Sequence, residues 1–107
     1  MPMITIKYDD AKVGDDQITA LAKAIRIIVS EATKIKEVFV YADSPKVRVE
    51  VAPIEVFIEM SAGKIKNREE LFQEIKHKLS DWKKANSFEY PITLTLTPMD
   101  WSFEVGI

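Results

Sequence analysis

The chain has 107 residues and a mass of 12.2 kDa, enough for one hydrophobic core and too short for two. Hydrophobic residues make up 47% and charged residues 30%, an ordinary globular balance that excludes intrinsic disorder. Fifteen Lys and Arg against seventeen Asp and Glu leave a net charge of -2, so no global positive field draws the chain to nucleic acid or anionic lipid.

Met3 to Tyr8 reads as a first strand, because Ile4, Ile6 and Tyr8 alternate with Thr5 and Lys7 at period two. Asp9 and Asp10 stop it. Asp15 or Asp16 then offers a side-chain oxygen to the free amides of a helix start, and Ile18, Leu21, Ala22, Ile25, Ile28, Val29 and Ala32 trace one apolar helical stripe. Val38 to Ala42 reads as a short buried strand, followed by a turn at Asp43-Ser44-Pro45. Lys46, Arg48 and Glu50 alternate with Val47, Val49 and Val51, which predicts a strand with one wet face, a hairpin partner of the preceding one, closed by Pro53.

From Ile54 the plan begins again. Ile54, Val56 and Ile58 alternate with Glu55, Phe57 and Glu59, and Ser61-Ala62-Gly63 makes a turn. Asn67 with Glu70 three residues on opens a second helix whose apolar face is Leu71, Phe72, Ile75, Leu79 and Trp82, with Glu74 and Lys78 paired on its outside. Ile92 to Thr97 alternates without interruption and Pro98 is expected to end it, leaving Trp101 to Ile107 as an aromatic tail with the pattern of a final strand. A shift of fifty residues lays Ile4 on Ile54, Ile6 on Val56, Leu21 on Leu71 and Ile25 on Ile75. The chain is thus a duplicated β-α-β unit, with pseudo-repeats near 1–45 and 53–107 in one domain spanning 1–107. The fold class is α/β in the broad sense, an α+β two-layer sandwich with two helices on one face of a mixed sheet.

The absence of cysteine removes disulfides, thiolate metal sites and Cys nucleophiles, and suits a reducing cytoplasm. Apolar runs are only a few residues long, and the opening ten residues include Lys7, Asp9 and Asp10, so neither a membrane span nor a signal peptide is expected. No Walker loop, dinucleotide fingerprint, Ser-His-Asp set or metal-ligand cluster stands out. His77 lies on the polar face of the second helix without a second His. Glu55 and Glu59 share a strand face with Phe57 between them and no partner group.

The start MPMITI, the segment PIEVFIEMSAGKIKNREELFQEI from Pro53 to Ile75, and the ending ITLTLTPMDWSFEVGI together resemble the tautomerase superfamily, which includes 4-oxalocrotonate tautomerase and macrophage migration inhibitory factor. Gly63-Lys64 matches that family's Gly-basic step after the opening strand. The resemblance implies a homotrimer and a keto-enol isomerisation of a small anionic carbonyl compound. It implies no cofactor and no metal, with Pro2 as catalytic base once the initiator Met is removed. Lys64, beside a helix start that favours anions, and Arg48, on the wet face of its strand, are the candidate substrate-binding cations. The family's strand Arg is replaced by Phe39 in the first half and Thr93 in the second. That departure keeps open a non-catalytic trimeric binding or structural member of the same fold. The order β-α-β-β-α-β also suits a ferredoxin-like small-ligand domain.

Overall fold

The computed structural model describes all residues from 1 to 107. Four strands and two helices follow one another as β1 (Met3–Tyr8), α1 (Asp15–Thr33), β2 (Phe39–Asp43), β3 (Ile54–Ser61), α2 (Arg68–Ala85) and β4 (Thr93–Met99), with a single 3-10 turn at Ala62–Lys64. The sheet order is β2-β1-β3-β4. β1 runs parallel to β2 and antiparallel to β3, and β3 runs parallel to β4. Each β-α-β unit therefore supplies one inner and one outer strand, and the two units meet at β1 and β3 through pairs such as Ile4 with Ile58 and Ile6 with Val56. The duplication read from the sequence is the plan of the fold.

Period-two alternation decides which face is covered. Ile4, Ile6, Ile54, Val56, Ile58 and Met60 are all fully buried beneath the helices. Their neighbours on the strands, Thr5, Phe57 and Glu59 among them, point to the face that carries no helix, where Phe57 is set against Thr5 on one side and Thr95 on the other. α1 buries Ile18, Leu21, Ile25, Ile28 and Val29, whereas α2 buries only Ile75 and Leu79. Leu71, Trp82, Leu94 and Leu96 stay partly buried at the β4 side of a core of fifteen residues.

The helix starts differ in chemistry. Asn67 accepts from the Glu70 backbone N–H at 3.1 Å, as its spacing predicts. α1 instead has Gly14 as its N-cap with no side-chain cap bond, so Asp15 and Asp16 fall inside the first turn and favour the helix dipole rather than capping it. The Asp15 carboxylate accepts from the Tyr8 hydroxyl at 2.7 Å, a tie from the end of β1 to the start of α1.

Four expectations are corrected. The strand read as buried over Val38 to Ala42 is mostly exposed, with only Val38 buried and Val40 half-buried, because β2 is an edge strand whose one neighbour is β1. Lys46 to Val51 forms no strand and no hairpin: the chain from 44 to 53 is irregular, and β2 pairs only with β1. Alternation makes a strand only where an open backbone edge is in reach, and the segment is held away from one by Arg48, whose Nη1 donates to Asp9 at 3.0 Å and Asp10 at 2.7 Å. Pro98 does not end β4; it lies within the strand opposite Met60, which an edge strand tolerates because one side of its backbone needs no donor. Trp101 to Ile107 adds no strand, although Trp101 and Phe103 pack edge to face at 6.4 Å between ring centroids.

The core predicts that Ile58→Ala, at a fully buried site on an inner strand, lowers stability by about 2–5 kcal/mol in urea denaturation. The Tyr8 hydroxyl is held protonated beyond its usual range, first by its hydrogen bond to Asp15, then by burial and by the charges of Asp15, Asp10 and Asp43. A raised folded-state pKa means that this bond stabilises fully below the ordinary tyrosine value and is lost as pH climbs through the raised one. Ultraviolet titration should therefore show one tyrosine ionising later than the rest, and Tyr8→Phe should remove that late step.

Candidate functional site

Pro2 sits immediately before β1, the strand at the centre of the sheet with β3. Its carbonyl accepts from the Phe39 N–H at 3.2 Å, so the β1–β2 pairing extends one residue past Met3. Continuing the two registers places Pro2 between Val38 and Met60, and alternation places it on the helix side with Ile4 and Ile6. Its side chain is fully buried, Met60 is 0% exposed and Val38 7%. With Met1 in place the nitrogen is a peptide nitrogen, and it becomes a secondary amine only when Met1 is gone.

The antiparallel pairing of β1 with β3 brings the end of β3 to the same end of the sheet. β3 stops at Ser61, and the 3-10 turn Ala62–Lys64 sets Lys64 on the rim of a cavity of about 290 Å³. Lys34 and Lys66 share that rim, with Thr33, the capping Asn67 and the carboxylates Glu70 and Glu74. Three ammonium groups beside the first turn of α2 make an anion-favouring corner, tempered by the two glutamates. Pro2 does not line this cavity; it lies at the same end of the sheet, underneath.

Lys34 and Lys66 were not legible as site residues in the sequence. Lys66 is two positions past Lys64, which did stand out, and Lys34 comes from the other repeat. Lys34 ends α1 with φ 61, a left-handed conformation that glycine or asparagine usually fills. Near the same end, β4 leaves the sheet at Met99 opposite Ser61, and the indole Nε1 of Trp101 beyond it is buried with no hydrogen-bond partner.

Arg48 is not on a strand and not at this end. It lies with Asp9 and Asp10 past the far end of β1, so the length of that six-residue strand, roughly 20 Å, separates it from Pro2 within one chain. Its guanidinium also donates to Ser44 Oγ at 3.2 Å. The hydrogen bond to Asp10 chiefly raises its pKa, partial burial opposes, and the charges of Asp10 and Asp9 add to the rise. His77, Glu55 and Glu59 form no ion pair, and no group of three or more His, Cys, Asp or Glu is placed to hold a metal. No helix is long and apolar enough to cross a membrane.

No protein-family model matches the sequence, and no curated protein does so significantly. Solved structures do match by shape. One of malonate semialdehyde decarboxylase, described with a proline-to-alanine mutant and an inactivated form, aligns with TM-score 0.71 at 14% identity, covering 98% of this chain and 92% of that one. A fused 4-OT symmetric trimer aligns with TM-score 0.69 at 18% identity over 98% and 94%. Leishmania major MIF2 aligns with TM-score 0.67 at 13% identity over 99% and 95%. These neighbours are tautomerase-superfamily members, and at such identities the likeness is one of fold. The ferredoxin-like alternative gains nothing from them.

The left-handed C-cap carries its own prediction. Lys34→Gly should raise stability by about 1 kcal/mol in chemical denaturation, because the Cβ penalty disappears, while removing one of the cations around the cavity.

Proposed function

We propose that this chain is a tautomerase-like protein that isomerises a small anionic carbonyl compound between keto and enol forms. The observation that carries the reading is the fully buried Pro2 at the head of a central strand, below the end of the sheet where Lys64 and its neighbours gather. Once Met1 is removed, the neutral Pro2 nitrogen takes a proton from the carbon beside the carbonyl. The electron pair of that C–H bond moves into an enolate, and the protonated amine returns the proton to a different atom of the same molecule. Nothing is oxidised or reduced, and no cofactor enters. Lys64, with the first turn of α2 behind it, holds the substrate carboxylate. Arg48 is the second candidate cation, and from the far end of the sheet it serves only the site of a neighbouring copy.

The same reading makes the protein a cytoplasmic homotrimer, assembled through the sheet face that its own helices leave bare. A second reading keeps the trimer and drops the chemistry. It is favoured by Phe39 and Thr93, which stand where the family has a strand Arg, and by the two carboxylates already engaged by Arg48.

Intact mass of untagged cellular protein should show a chain beginning at Pro2; Met1 retained throughout would end the enzyme reading, since an amide nitrogen has no usable lone pair. On a panel of enol acids such as phenylpyruvate, blocking the terminal nitrogen should abolish turnover. The rate should also fall as pH drops through the amine's own pKa. Lys64→Ala should raise KM about tenfold with little change in kcat, the signature of a group that holds ground and transition states alike. Processed trimer without turnover on any such acid, and unchanged when the nitrogen is blocked, would select the binding-module reading.

A further inference from the structure

The cavity between the end of α1 and the start of α2 carries more positive charge than one carboxylate uses. Lys34, Lys64 and Lys66 line it, from the C-cap of α1, the 3-10 turn and the loop before α2. None of the three is in an ion pair, whereas Lys7, Arg48 and Lys78 each have a carboxylate within 3.2 Å and Lys83 donates to the Tyr90 carbonyl at 2.7 Å. Two carboxylates share the cavity. Glu74 is taken by Lys78 at 3.2 Å. Glu70 has no such partner and opposes an anion, while the positive end of α2 favours one. With Lys64 given to a substrate carboxylate, Lys34 and Lys66 remain.

Lys34 is set there at a cost. Its φ of 61 is left-handed, where glycine is unstrained and lysine is not. The next residue is pinned on both sides: the Ile35 carbonyl accepts from Ser30 Oγ at 2.7 Å, and the Ile35 N–H donates to Thr33 Oγ1 at 3.3 Å. Strain of this kind persists only where the surrounding structure holds it, and it concentrates at ligand sites. The cavity, about 290 Å³, lies at the small end of small-molecule sites. No arginine lines it. A guanidinium fork reads two oxygens in a plane, whereas ammonium point charges arriving from separate segments suit a group whose oxygens spread around one centre. A phosphoryl group has three such oxygens and carries about -1.5 to -2 charge at pH 7.

We infer that the substrate is a small phosphorylated keto acid, with its carboxylate on Lys64 and its phosphoryl group between Lys34 and Lys66. The phosphoryl group is an anchor. Its P–O bonds stay intact, and the only bonds that change are those of the proton that Pro2 takes from the carbon beside the carbonyl and returns elsewhere on the same molecule. The inference rests on the tautomerase-like reading of this end of the sheet and deepens it by naming the class of substrate.

Calorimetric titration of the processed protein should show phosphoglycolate bound at least tenfold more tightly than malonate, which offers a carboxylate in place of the phosphoryl group. Lys34→Gly, which relieves the left-handed backbone while removing the ammonium, and Lys66→Gln should each weaken phosphoglycolate about tenfold and malonate by less. Glu70→Gln should tighten phosphoglycolate, because it removes the opposing charge, and Lys84→Gln, at the other end of α2, should change nothing. Circular dichroism checks that each variant is folded. Malonate bound as tightly as phosphoglycolate, or phosphoglycolate binding unmoved by either Lys34→Gly or Lys66→Gln, overturns the phosphoryl site and leaves the Pro2 chemistry standing. Phosphoglycolate bound as stated by a protein that turns over no acid overturns the chemistry and keeps the site.

Discussion

A four-stranded sheet with helices on one side only is the constraint from which the rest of this molecule follows. Six side chains on β1 and β3, from Ile4 to Met60, reach full burial because α1 and α2 cover them. The alternate residues of the same strands have no such cover. At about 25 cal/mol per Å² of apolar surface removed from water, covering the second face and the edges is a large reservoir of association energy. Phe57 on the bare face and Phe39 and Tyr41 at its edge are where that reservoir lies.

The duplication also gives the sheet two ends of different character. Because the two β-α-β units run in opposite directions, the opening of the first lies at one end and the opening of the second at the other. At one end the Pro2 carbonyl takes the Phe39 amide, and at the opposite end the Pro53 carbonyl takes the Asp9 amide. At the second end the Asp9 carboxylate accepts from the Ala11 N–H and from Arg48. The first end stays open, rimmed by Lys34, Lys64 and Lys66. The two halves thus place different side chains at the two ends: an Arg48–Asp9–Asp10 cluster at one and three lysines at the other.

This division explains why the candidate cations part company. Lys64 reaches the Pro2 end because β3 runs antiparallel to β1 and finishes there. Arg48 follows β2, which runs parallel to β1 and finishes at the other end. Strand direction, rather than distance along the sequence, sets which charges a single subunit gathers.

The sequence by itself carried both helices, the four strands that form and the inward residues of β1, β3 and α1, because period two and period 3.6 are local properties of each segment, but the same alternation also promised strands that do not form. It also offered Pro2 and Lys64 as candidates through a family resemblance, of which the fold is the part that the solved structures share. Tertiary structure alone decided the rest. Whether Val47 to Val51 becomes a strand depends on an edge being within reach, and Arg48 holds the segment away from its own. Pro98 stays inside β4 because that strand has a neighbour on one side only. Lys34 joins Lys64 and Lys66 only when the end of α1 meets the start of α2. Hydrogen-bond edges and charge clusters are relations between distant segments, and a one-dimensional pattern holds no record of which segments will meet.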